Sequence, residues 1–202
     1  MVAVCRNHHM ELEKQRKEIA YRAKSNPINI KNGRLKGYLV TNQTKQVLRI
    51  GAVRFENAST AISYGGIPLF GYKYHDNEIN VQVYIPDRDF WPEIEIVNNN
   101  LSALIDGFWD IEFKSNFLKF RKKKGENFLS LDFRNDDVEI NGNLLVDGNN
   151  FEFSPTSTNF PSIGLSGITI VTEIGGVAIA LNDSNQMIRP NFAMARPFRS
   201  KP

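Results

Sequence analysis

Hydrophobic and polar positions alternate with a period of two along most of this chain. The clearest run is Glu78 to Ile85, where Ile79, Val81, Val83 and Ile85 alternate with Glu78, Asn80, Gln82 and Tyr84. That is the pattern of a strand with one face buried and one in water. Similar alternation recurs at Trp109/Ile111/Phe113, Leu129/Leu131/Phe133, Val138/Ile140, Phe151/Phe153, Ile168/Ile170 and Val177/Ile179/Leu181. Turn-forming pairs separate the runs, among them Gly65-Gly66, Asn141-Gly142, Asp147-Gly148 and Gly175-Gly176, and such pairs favour tight hairpins. Residues 28–188 are therefore expected to form a mostly antiparallel β structure of about ten to twelve strands, a sandwich or a rolled sheet. Asn100 to Ile105 reads as a single helical turn within it. Val138 to Phe153, with short strands between Asn-Gly and Asp-Gly, also fits the rungs of a short β-solenoid, although no fixed period spans the whole region.

The period differs at the N-terminus. Glu11 to Lys24 lacks Gly and Pro, is rich in helix formers, and sets Leu12, Ile19 and Ala23 along one side, so a helix is expected over about residues 7–24. Ser25-Asn26-Pro27 ends it, because proline drives the preceding residue out of the α region. The chain thus divides into a helical segment at 1–26, a β-rich domain at 27–188 and a basic tail at 189–202.

Composition narrows the function classes. The 202 residues are 41% hydrophobic and 23% charged, which excludes a wholly disordered chain. Apolar runs such as Val177 to Leu181 fall far short of the ~18–20 residues of a membrane-spanning helix, so no membrane partner is expected. Cys5 is the one cysteine, so no intramolecular disulfide can form. With no export signal at Met1 to His9, a cytoplasmic setting is the expectation. Asparagine is abundant at 22 residues, as suits a fold with many tight turns.

Charge is uneven. Met1 to Lys24 carries six basic and three acidic residues, Arg189 to Pro202 four basic and none acidic, and the stretch between them 15 basic and 19 acidic. Any nucleic-acid contact is therefore expected at the ends, through Lys14, Arg16, Lys17, Arg196 and Arg199. Arg121-Lys122-Lys123-Lys124 is read as a solvated turn between two strands. Asp87, Asp89 and Glu93 read as acidic turn residues. Seven aromatics between Tyr64 and Trp91 mostly suit a core, with Tyr72, Tyr74 and His75 expected to be exposed beside the Asp76-Asn77 turn and able to stack a ligand. Neither a Gly-x-Ser-x-Gly elbow nor a phosphate-binding loop is present.

One segment carries chemistry. Ala3-Val4-Cys5-Arg6-Asn7-His8-His9, running into the helix, resembles the closing element of the HNH endonuclease motif, which commonly reads Leu-Cys-x-x-His-His before a helix. The resemblance covers about residues 3–20. It implies that His9 is a divalent-metal ligand and that Cys5 and His8 stand where many members keep half of a structural zinc site. Glu13 stands where many members carry a closing histidine, and a carboxylate there suits Mg²⁺. The hairpin bearing the family's general-base histidine precedes this element and is not in the sequence given. The resemblance thus implies a catalytically incomplete chain, unless a protein partner supplies the missing elements. The expectation is a β-rich recognition domain of a nuclease-related protein, with a non-enzymatic binding or assembly protein for a glycan or protein partner as the alternative.

Overall fold

The structure is a computed structural model that describes residues 33–39, 45–75, 78–114, 116–181 and 187–188. Its strands are β1 (Arg34–Tyr38), β2 (Val47–Ile50), β3 (Val53–Tyr64), β4 (Ile67–His75), β5 (Glu78–Pro86), β6 (Pro92–Val97), β7 (Asn100–Leu104) and β8 (Asp110–Lys114). They continue as β9 (Phe117–Arg121), β10 (Leu129–Asp132), β11 (Val138–Val146), β12 (Asn149–Ser154), β13 (Ser157–Phe160), β14 (Ile163–Leu165), β15 (Thr169–Leu181) and β16 (Met187–Ile188). Among the described residues the fold is mainly β and contains no helix. The helix expected at residues 7–24 and the basic tail lie outside the described residues.

Sixteen strands exceed the expectation, for two reasons. Asn100 to Leu104 is a strand rather than a helical turn, paired with β1 and β6. Between Asn149 and Leu165 three short strands are joined by Pro155-Thr156 and Pro161-Ser162, turns that carry no glycine. Val138 to Phe153 is an antiparallel hairpin, Leu144 facing Phe151, so the solenoid reading of this segment is corrected: solenoid rungs stack in parallel.

All strands belong to one hydrogen-bonded sheet ordered β1-β7-β6-β5-β4-β3-β2-β11-β10-β9-β8, with β12 to β14 continuing from β11 and β15 lying against β3. Most ladders are antiparallel; β2 with β11 and β3 with β15 are parallel. The sheet folds over at β3. Its first half pairs β2 and its second half pairs β4, and between them Asn57 takes a φ of 62°. Opposite Asn57, residues 172–175 of β15 form an insertion between the pairs Val171↔Glu56 and Gly176↔Ala58.

Tight turns set the hairpins. Gly65-Gly66, Asn98-Asn99 and Asp147-Gly148 each have positive φ at both central residues, as type I′ hairpins require. Asn99 does more than turn the chain. Its Oδ1 accepts from the Val81 backbone N at 3.2 Å, its Nδ2 donates to Asn80 Oδ1 at 2.6 Å, and its carbonyl accepts from Leu39 N at 2.9 Å. Strand β6 ends before it can pair with Val81, and the carboxamide supplies that acceptor.

The two halves of the rolled sheet enclose one apolar core. Phe70 meets Phe153 and Tyr64 meets Phe151, each at 5.9 Å between ring centroids and edge to face. At the corner beside β2, Thr158 Oγ1 donates to Ile50 O at 2.7 Å and accepts from Ala52 N at 2.9 Å, which ties β13 to the β2–β3 turn. The polar positions of β5 are also buried: Asn80, Gln82 and Tyr84 were expected in water, but this central strand is covered on both faces.

The two ends of the strand path face each other across the core. A methyl group on Gly37 of β1 would stand 2.5 Å from Cε1 of Phe113 on β8. Gly37 has no positive φ, so its role is steric. Gly37→Val is expected to destabilise the fold by about 1–3 kcal/mol. In chemical denaturation, Phe113→Leu in the same chain should recover part of that loss, and strict additivity of the two would refute the contact.

Candidate binding surfaces

Most residues singled out from the sequence, namely Cys5, His8, His9, Glu13, Lys14, Arg16, Lys17, Arg196 and Arg199, lie outside the described residues. Tyr74 and His75 close strand β4, and their side chains are likewise outside them. Tyr72 is described, and the expectation that it is exposed is corrected. It is 3% exposed, and its hydroxyl donates to Val47 O at 2.5 Å. Burial first, and the nearby Asp137 charge second, raise its pKa above the usual phenol range. It faces inward on β4, in phase with Phe70 in the core.

On the half built from β8, β9, β10, β11, β2 and β3, outward charges pair with one another, along strands and between them. Arg121 directly faces Asp110 across β8 and β9, pairs with it, and also donates to Glu112 at 3.2 Å. Lys114 binds Glu112 at 2.6 Å, and Arg134 binds Asp132 at 2.5 Å. Arg54 pairs with Glu56 and reaches Asp137 at 3.0 Å. These partners hold Glu112 and Asp132 below the usual carboxylate range, by hydrogen bonds from Lys114 and Arg121 and from Arg134 respectively. The side chains neutralise each other, Arg121 across strands and Lys114 and Arg134 along the chain. Among the described residues no three or more His, Cys, Asp or Glu side chains converge to hold a metal, and no helix is long and apolar enough to cross a membrane.

At one end of the roll lies the lysine turn, which joins β9 to β10 as expected. Lys122 is tied inward. Its Nζ is 2.9 Å from Glu93 Oε2, 4.1 Å from the centre of the Phe128 ring and 5.7 Å from that of Phe108. Glu93 is not in an acidic turn but buried in β6, and the ammonium on the ring faces compensates its charge. Asp87 does belong to a turn, where its Oδ1 accepts from the backbone N of Asp89 and of Trp91. Lys123 and Lys124 remain exposed. Beside them Trp109, whose N donates to Arg121 O at 2.8 Å, is 59% exposed.

A second surface is the outer side of β15. Among the described residues that side pairs only with β16, at Ala180 and Leu181. Ahead of the insertion at 172–175, Val171 is 62% exposed and Ile168 is exposed beside it. Sequence reasoning missed both Trp109 and Val171. Trp109 sits in phase with Ile111 and Phe113 but just before the strand begins, so alternation places it wrongly inside. Val171 breaks the alternation of Ile168 and Ile170, and that break was the available signal. Comparison with protein-family models, with curated proteins and with solved structures yields no match.

Removing Lys122 would strand a buried carboxylate. Lys122→Ala is expected to lower stability by about 1–3 kcal/mol, whereas Lys123→Ala and Lys124→Ala should stay within about 0.5 kcal/mol of the parent; equal effects at all three would mean that the Glu93 pair has no structural weight. Glu95 gives a pH test. Burial raises its pKa from 4.5 and the Arg34 charge offsets part of the shift, so its ionisation opposes folding. Glu95→Gln should therefore raise the melting temperature at neutral pH, and the gain should fade as pH falls from above the 4.5 reference towards it and be absent below it.

Proposed function

We propose that this chain is a binding or assembly protein whose β-rich body recognises another protein through its surface rather than performing chemistry. The observation that carries this reading is the outer side of β15, which among the described residues is paired only at Ala180 and Leu181 and which lies next to exposed Ile168 and Val171. Backbone donors and acceptors beside apolar side chains are what an incoming extended segment requires. Isolated exposed apolar residues need no explanation, but Val171 lies on β15 and Ile168 immediately precedes that strand.

A second reading is favoured by Trp109 beside the lysine turn. An exposed indole can stack a base while lysines meet phosphates, so a nucleic-acid ligand would bind there, the chain then serving as the accessory domain of an HNH-related nuclease. On that reading Cys5, His8, His9 and Glu13 remain the proposed metal ligands, for Mg²⁺ or Zn²⁺, with Lys14, Arg16, Lys17, Arg196 and Arg199 as further phosphate contacts.

Photo-crosslinking residues placed singly at Trp109 and Val171, in cells that make the protein, test the two readings. Discrete protein adducts from Val171 are expected. Nucleic-acid adducts from Trp109 without protein adducts from Val171 would favour the second reading, and no adducts at either position would overturn both. Purified protein with plasmid DNA and Mg²⁺ or Mn²⁺ is expected to leave the plasmid intact; cleavage abolished by His9→Ala would contradict that expectation.

A further inference from the structure

Among the described residues six that are not glycine have positive φ, and five of these are Asn57, Asn98, Asn99, Asn116 and Asp147. Asparagine and aspartate tolerate that region because their side chains bond to nearby backbone. The sixth is Phe90, with φ at 62°. For a residue bearing a ring this backbone is strained, and such strain persists only where the surroundings impose it. Here they do. Phe90 N donates to Asp87 O at 3.1 Å, and its carbonyl accepts from the Tyr84 hydroxyl at 2.7 Å. Asp87 N donates to Trp91 O at 2.7 Å, while Asp87 Oδ1 accepts from the backbone N of Asp89 and of Trp91. Pro86 pairs with Pro92 across the base of the loop. The loop is thus built rigidly around a side chain that its backbone does not favour.

The ring does not serve the core, since Phe90 is 41% exposed. A second exposed ring, that of Trp109, stands on the adjoining loop. The two loops share one end of the roll. Strand β6 leads out of the first and the neighbouring β7 leads into the second, and a methyl group on Gly107 would stand 2.6 Å from Glu93 Oε1.

We propose that Phe90, with Trp109 as a second contact, anchors this chain to another protein by entering an apolar pocket on that protein. The inference rests on the reading of the chain as a binding protein, and it is independent of β15. An aromatic side chain on a preformed loop has little conformational freedom left to lose on binding, which makes it an effective anchor. Charge decides the class of partner. The exposed charges of the two loops are Arg88, Asp89 and Asp106, one basic and two acidic. A polyanion or an anionic lipid surface requires a basic patch instead. Mixed charge around exposed rings suits the polar rim of a protein interface.

The purified full chain gives the first test. Phe90→Asn supplies a residue suited to positive φ and removes the ring, so the melting temperature is expected to stay within about 2 °C of the parent or to rise. A larger fall would show that the ring serves the fold and would overturn the proposal. Hydroxyl-radical footprinting of the same chain should oxidise Phe90 readily; protection there would mean that the chain covers the ring itself, and would also overturn it. In cells that make the protein, p-benzoylphenylalanine in place of Phe90 should give a discrete adduct with another protein. Its attachment point, mapped by mass spectrometry, should lie in an apolar pocket, and Phe90→Asn should weaken affinity for that purified protein at least tenfold. An unchanged affinity overturns the proposal, as do adducts with nucleic acid, lipid, glycan or a second copy of this chain. Protein adducts from Val171 with none from position 90 overturn this inference and leave the recognition reading standing, whereas no adducts at either position remove both.

Discussion

The fold depends on a corner. Strand β3 starts in one half of the sheet and ends in the other, and Asn57 is where it changes direction, with φ at 62° and its N–H donating to Gln46 O at 2.9 Å. A sheet cannot bend so sharply with every residue in register, because pleat and hydrogen-bond spacing fix the length of each strand. The partner strand β15 runs along the same side of β3 through the bend, and it gains length there through residues 172–175. Ser59 then fastens that extra length back to β3. On the other side of β3, Gly71 lies so close to Ser59 O that no Cβ fits. An asparagine tolerant of positive φ, a hydroxyl and a missing side chain together make the bend, and the enclosed core follows from it.

Much of this architecture was legible as a period of two. The inward rows of β5, β10, β11 and β12 are the ones that alternation marks, because a strand between core and solvent must sort its side chains that way. What it could not mark is burial on both faces: Asn80, Gln82 and Tyr84 look solvent-facing on local pattern alone. Nor could it separate Asn100–Leu104 from a helical turn, since five residues are too few to distinguish periods of 2 and 3.6. The candidate sites were less legible. Tyr72 was judged by its closeness in sequence to a turn, while its environment is set by β2, through Val47. Val171 stands out only once β15 is placed at the margin of the described sheet, and that place is a property of topology rather than of sequence.

The charged residues divide into those that hold the fold and those that meet solvent. Arg121, Arg54 and Arg134 are each tied to carboxylates on their own or the adjoining strand, and Lys122 is drawn onto the phenyl faces at the end of the core. In the described body Arg121 and Arg54 are cross-strand clasps. The exposed apolar positions are the reverse. Val171, Trp109 and Tyr38 contribute little to the core and stand where a partner can reach them.

The parallel pairing of β3 with β15 also bears on how the chain is made. Strands β3 to β7 are consecutive hairpins that can zip as they leave the ribosome, but β3 must wait for β15, as Arg54 waits for Thr169. At about 5–20 residues per second, synthesis of that interval takes on the order of 5–25 s. Throughout it one side of the longest early strand is without its partner and the corner is unfastened. The nascent chain thus passes through a period in which it presents a long adhesive edge, and the last third of the sequence ends that exposure.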